Sequence, residues 1–209
     1  MVKRFFQQNQ IALLKTFIHL ICLYLVLSTF YLAAIDELGG DPVESLLHFT
    51  GIGALNLLLL TLLVTPVAKL FKWSKIMQVR RLLGLYGFFY ALIHVFSFLA
   101  FEVQFDWLFF VEEIVKRPYI TVGMAAFVIL VALAVTSVNR VKRRMGKKWQ
   151  TLHNYTYLAL LLAGIHFYWS VKSDIVEPLI YLVISIFLLS LRKDKFKRWF
   201  GQVGINRLW

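Results

Sequence analysis

Five histidines, His19, His48, His94, His153 and His166, lie within or at the edges of long apolar runs in this 209-residue chain. Ionisable or ligating side chains are costly in such surroundings, so each one is a candidate for function. A neutral imidazole donates a hydrogen bond through one nitrogen and keeps a lone pair on the other, which suits it to a metal. For any single histidine the alternative is an interhelical hydrogen bond, and depth separates three from the rest. His94 lies roughly 18 Å along its helix from Leu82, and His166 roughly 21 Å from Leu152, at 1.5 Å per residue. If both helices run the same way, the two rings stand at matching depth. Two imidazoles facing each other at one level are what a b-type haem needs, one nitrogen for each axial position. Zinc fits less well, because no third and fourth ligand is evident nearby.

His153 precedes His166 by roughly 20 Å of helix, which suggests a second, inner haem. The matching positions before His94 hold Arg80 and Arg81. A guanidinium stays protonated and offers no lone pair, so it is a poor iron ligand but a good partner for a haem propionate. His19, in the inner half of the first apolar run, is the alternative axial ligand. On a helical wheel Arg80 and His94 are about 40° apart and His153 and His166 about 140° apart, so tilt or a distortion near Gly164 must help the second pair.

Positioning these rings takes a bundle. Hydrophobic residues make up 60% of the chain and charged residues 16%, with a mean hydropathy of +0.72, and this composition points to a membrane protein. Six apolar runs approach or reach the length of a spanning helix: about 11–35, 50–70, 82–101, 119–138, 155–171 and 177–191. The first is too long for the hydrophobic region of a signal peptide and reads as a retained helix. The expected fold is all-α: residues 1–209 form a single integral membrane bundle of six transmembrane helices.

Sorting the charges sets the orientation, because positive residues resist translocation. One set of alternate loops holds Lys3, Arg4, Lys15, Lys69, Lys72, Lys75, Arg80, Arg81, Arg140, Lys142, Arg143, Arg144, Lys147, Lys148, Arg192, Lys193, Lys195, Lys197, Arg198 and Arg207. The other holds Lys116, Arg117 and Lys172 with Asp36, Glu37, Asp41, Glu44, Glu102, Asp106, Glu112, Glu113, Asp174 and Glu177. Both termini are therefore expected in the cytoplasm. A net charge of +12 distributed in this way is a topology signal and not the single basic face of a nucleic-acid binder.

Several chemistries are set aside. Cys22 is the only cysteine, which leaves no intrachain disulfide and no multi-cysteine metal site. About 18 residues follow the sixth run, too few for the βαβ unit of a nicotinamide or flavin dehydrogenase. Gly51-Ile-Gly53 opens an apolar helix and reads as small residues that allow close helix packing. Electrons must then arrive from another molecule.

Taken together, certain motifs resemble the ferric reductase-like transmembrane superfamily over nearly the whole chain. They are His48-Phe49-Thr50-Gly51, Arg80-Arg81-Leu82-Leu83-Gly84-Leu85 before His94, Arg117-Pro118-Tyr119, Trp149, Leu152-His153-Asn154, and Ile165-His166 before Trp169-Ser170-Val171-Lys172. The resemblance implies a six-helix domain with two stacked haems, ligated by two histidines on each of helices 3 and 5. His94, His153 and His166 match that pattern, and Arg80 occupies the fourth position. Within the superfamily the chain is similar to the haem-binding membrane subunits of bacterial periplasmic methionine-sulfoxide repair systems. That similarity implies one or two haem b groups and an FMN, for which no residue is assigned. It also implies a place in the bacterial inner membrane and electron delivery to a periplasmic molybdenum-containing reductase, MsrP. The donor would be the quinone pool or a cytosolic flavin reductase. In this role the chain is an electron-transfer subunit and not the catalytic one. His48, near the outer surface, has two readings: contact with a propionate or the partner, and a helix cap with Thr50.

The alternatives are a related haem protein with another acceptor, a proton-coupled transporter, and a scaffold. A transporter more often carries acids within its helices and broken helices near the midplane, and a scaffold needs no histidines at matched depth.

Overall fold

The computed structural model describes residues 2–171 and 174–192, with side chains from residue 9 onward. The expected topology charges Lys172, Lys193, Lys195, Lys197, Arg198 and Arg207, and the side chains of Lys3 and Arg4, lie outside the described residues.

All regular elements among the described residues are helical. In chain order they are α1 (Val2–Ala34), α2 (Pro42–Leu70), α3 (Arg80–Ser97), α4 (Trp107–Lys116), α5 (Pro118–Val135), α6 (Asn139–Met145), α7 (Lys147–His153), α8 (Thr156–Ser170) and α9 (Val176–Ser190). A 3-10 helix over Ser74–Val79 leads into α3, and a π-helical turn over Phe98–Glu102 ends it. Four helical stretches are long and apolar enough to cross a membrane: Asn9–Ala34, Pro42–Leu70, Ser74–Glu102 and Pro118–Val135. α9 is a shorter apolar helix of 15 residues, and α8 has the same length.

α2 begins at Pro42, eight residues before the apolar run that announced it. The Asp41 carboxylate caps it, accepting from the N–H groups of Val43 and Glu44, with Pro42 in the first turn and Glu44 beside it. His48 is thus well inside the helix and does not cap it.

α2 is also the central element. It packs along α3, while α5 packs along α8 and α8 against α9. Leu55, Leu58, Leu59 and Leu62 of α2 join one buried cluster with Leu130 and Leu133 of α5, Leu160 of α8 and Leu188 of α9. Ala54, Leu57 and Val64 join a second cluster with Ile18, Cys22 and Val26 of α1 and Leu83, Tyr86 and Tyr90 of α3. The other faces of α1, α5 and α9 leave residues such as Phe17, Val128 and Val183 exposed, as a lipid-facing surface requires.

Glycines set the closest approaches. A Cβ on Gly53 would fall inside contact distance of the Tyr90 ring, and one on Gly164 would stand 2.9 Å from Leu182 of α9. Gly164 therefore serves helix packing and not a bend in α8. The break that separates His153 from the helix of His166 lies at Asn154-Tyr155, between α7 and α8.

Candidate functional site

The rings of His94, on α3, and His166, on α8, face each other with centroids 6.1 Å apart and planes at 83°. Each is held by a neighbouring helix. His94 Nδ1 donates to the carbonyl of Leu47 in α2 at 2.9 Å, with the buried Thr50 hydroxyl 3.3 Å away. His166 Nδ1 donates to the carbonyl of Tyr119 in α5 at 2.7 Å. A carbonyl only accepts, so Nδ1 carries the hydrogen, and in the neutral ring Nε2 keeps the lone pair.

Glycines make room for both rings. A Cβ on Gly51 would lie 3.2 Å from the His94 ring, and one on Gly123 would lie 2.7 Å from His166 Nδ1. α2 and α5 thus present bare backbone to the imidazoles that α3 and α8 carry. Gly51 was legible in the sequence as a packing residue. Gly123 was not, because a lone glycine in an apolar helix does not name its neighbour.

The spacing of the pair suits a bis-imidazole metal. Two metal–nitrogen bonds of about 2 Å each, with the distance from ring centre to nitrogen added at both ends, span about the centroid separation found here. Among the described residues no group of three or more His, Cys, Asp and Glu is placed to hold a metal ion, which removes the usual zinc arrangements. Beside the site, Pro118, Tyr119 and Trp169 line an open surface depression of about 360 Å³. The Tyr119 ring lies 5.9 Å from that of His166. Arg117 braces the corner before Tyr119, pairing with the buried Glu113 carboxylate at 2.8 Å and donating to the Tyr119 hydroxyl at 3.2 Å.

His153 occupies a different setting at the end of α7. Its ring stacks on Trp149, centroids 3.9 Å apart, and its Nε2 is 3.2 Å from the Thr136 hydroxyl. Trp149 donates through its indole N–H to the Thr136 carbonyl at 2.9 Å, and Lys142 Nζ stands 4.4 Å above the indole. Burial first, then the positive Lys142 and Arg80, push the His153 pKa down to about 4, so the ring is neutral at pH 7 and keeps a lone pair. Arg80, at the start of α3, is within electrostatic reach of His153, and its Nε is buried without a hydrogen-bond partner.

His19 is exposed on α1, with Nδ1 2.6 Å from the Tyr86 hydroxyl of α3. His48 is half exposed, 3.6 Å from Glu177 and 6.0 Å, ring to ring, from Phe167. Thr136 and Arg192 were not singled out from the sequence. Arg192 counted there only as a topology charge, yet it is buried at the end of α9.

Comparison with known proteins gives one answer twice. Residues 50–164 match the model of a family described as ferric reductase like transmembrane component. The protein-methionine-sulfoxide reductase heme-binding subunit MsrQ of Klebsiella pneumoniae is 42% identical over 195 residues, covering 93% of this chain and 98% of that protein. The MsrQ proteins of Cronobacter sakazakii and Pectobacterium carotovorum are each 42% identical, over 192 and 198 residues, covering 91% of this chain and 96% of each relative.

Proposed function

Because the chain belongs to the MsrQ proteins of the ferric reductase-like transmembrane family, we propose that it is a haem b electron-transfer subunit carrying electrons across the bacterial inner membrane to a periplasmic methionine-sulfoxide reductase. The observation that carries this reading is the facing pair His94 and His166, each with Nδ1 bonded to a backbone carbonyl and Nε2 left for iron. Hydrogen bonds of this kind, made by the ring nitrogen that does not bind the metal, fix ring orientation and tautomer in metal sites. Haem, when bound, supplies the one-electron iron couple.

In this proposal α1, α2, α3, α5, α8 and α9 are six spans, both termini are cytoplasmic, and residues 1–209 are one domain. His94 and His166 hold the outer haem. His153 is an imidazole ligand of the inner haem, Arg80 binds a propionate, and His19 is the alternative second ligand. Trp149 and Thr136 fix the His153 ring in place. Electrons enter near His153 and leave near His94 and His166, toward the loops that carry most of the acids. The acceptor is MsrP, and the donor is the quinone pool or a cytosolic flavin reductase. FMN rests on resemblance alone, and no residue is assigned to it. A proton-coupled transporter has less support, because the one buried carboxylate among the described residues, Glu113, is paired with Arg117.

An absorbance spectrum of the purified protein, expressed with ample haem, tests the reading. A Soret band and a sharp reduced α-band are expected, and a colourless protein refutes it. NADPH alone should leave the haem oxidised, and added quinol or a flavin reductase should reduce it. Rapid reduction by NADPH without an added flavoprotein would overturn the assigned role as a relay.

A further inference from the structure

The stretch between Glu113 and Asp174 contains no acid, yet it carries Arg140, Lys142, Arg143, Arg144, Lys147 and Lys148 in close succession. All six are exposed. Among the described residues none of them forms an ion pair, the pairs being His48–Glu177, Lys116–Glu112 and Arg117–Glu113. Asn139, Lys142, Arg143 and Gly146 line an open surface depression of about 410 Å³. Gly146, with φ at 53°, turns the chain from α6 into α7 there. Arg81, in the first turn of α3, donates to Asn139 Oδ1 at 2.9 Å and ties α3 to this edge.

A topology signal needs only the number of cations. Here one of them is also placed. Lys142 lines the depression and sets Nζ 4.4 Å from the centre of the Trp149 indole, which stacks on His153 with centroids 3.9 Å apart and planes at 26°. The indole N–H is fixed on the Thr136 carbonyl at 2.9 Å. Contacts thus run from a basic surface depression through one aromatic ring to the imidazole proposed for the inner haem.

Position and charge select the class of partner. The depression lies between α5, whose spanning stretch ends at Val135, and α8, which begins at Thr156. Its lining is polar and cationic, whereas a quinone is neutral and keeps its tail in lipid. An acidic protein surface complements it.

We infer that the α6–α7 depression is the docking port for the acidic face of a soluble flavoprotein donor, with Trp149 as the ring through which the electron reaches His153. This rests on the haem reading above and selects the soluble donor over the quinone pool. One electron leaves the donor's reduced flavin and the inner haem iron passes from ferric to ferrous. No bond forms or breaks in this chain, and the proton that the flavin sheds goes to water at the exposed face.

The test uses the full haem-loaded chain in nanodiscs of zwitterionic lipid, so that no anionic headgroup competes. The probe is fully reduced flavodoxin, a small acidic protein that keeps its flavin bound, and the haem α-band is followed. Reduction should saturate with flavodoxin concentration. Arg143→Glu with Arg144→Glu should raise the half-saturating concentration by about 10-fold, from two exposed charge contacts of about 3-fold each. At 1 M salt, where the screening length is about 3 Å, parent and variant should converge. Trp149→Leu should lower the saturating rate more than Trp149→Phe, which loses the same N–H but keeps a ring on His153; dithionite reduction measures the haem present in each. An unchanged half-saturating concentration in the double variant leaves the cations to topology or to anionic headgroups and overturns the port. A parental saturating rate in Trp149→Leu overturns the path. Haem that a quinol reduces and flavodoxin does not overturns both while the functional reading stands. A chain that binds no haem fails that reading, and the port falls with it.

Discussion

Replacing Gly123 by alanine should loosen the proposed outer haem by displacing His166, with both histidines left in the sequence. The new Cβ would stand 2.7 Å from Nδ1, 2.9 Å from Cε1 and 3.1 Å from Cγ of that ring. Ordinary contact begins at 3.4 Å, so the imidazole must retreat by about 0.7 Å, the difference from 2.7 Å. That retreat pulls Nδ1 off the Tyr119 carbonyl, now 2.7 Å away. A weakened hydrogen bond costs about 1 kcal/mol, and an off-rotamer side chain about 1 kcal/mol more. Together these make haem binding weaker by roughly 30-fold. Two further glycines calibrate the effect. Gly51→Ala meets the His94 ring at 3.2 Å and asks for only a few tenths of an ångström, so its loss should be smaller. Gly84→Ala meets nothing closer than 3.9 Å and should bind haem as the parent does. The assay is titration of haem into the apo-protein, followed at the Soret band. A Gly123→Ala protein with parental affinity, or one less affected than Gly51→Ala, would refute the reasoning.

Other perturbations separate the two proposed haems. His94→Ala and His166→Ala should remove the same low-spin signal and give matching spectra; a normal signal in either variant sinks the outer assignment. Arg80→Ala should lower the affinity or potential of the inner haem and leave the outer one intact, since ~21 Å of helix separates Arg80 from His94; unchanged content, potential and spectrum would reduce Arg80 to a topology charge. His153→Ala should slow reduction of the outer haem by a cytosolic donor while dithionite still reduces it fully, and equal rates with both reductants would remove His153 from the path.

The apolar runs located the long helices because burial in lipid or core needs continuous hydrophobicity. They missed where α2 begins, since its first turn is polar. The signal was present in another form: Asp41 before Pro42, with Glu44 in the first turn, is a helix start written in capping chemistry. α4, α6 and α7 are too short to show as spanning runs. The matched depth of His94 and His166 followed from residue spacing, and the structure does bring those rings together. Their carbonyl partners could not be foreseen, because Leu47 and Tyr119 contribute backbone atoms that no side-chain pattern encodes. The wheel misfit between His153 and His166 calls for tilt or a distortion near Gly164, whereas the chain breaks at Asn154-Tyr155. Arg192 carries no such signal, because its partner is the Leu62 carbonyl, which lacks a helical donor only because Pro66 has no N–H.

The cross-bracing of the two facing imidazoles bears on how the protein is made. α2 and α3 can pair early, setting His94 on Gly51 with its Nδ1 on the Leu47 carbonyl. The opposite half needs α5 and α8, and the stretch from His94 to His166 takes several seconds to synthesise at about 5–20 residues per second. Throughout that interval a nascent chain offers half a site, one ring with nothing across from it. On the proposed haem reading, capture by both rings is thus an event of late biogenesis, after α8 has joined the bundle, and a ribosome stalled before α8 leaves a chain unable to complete it.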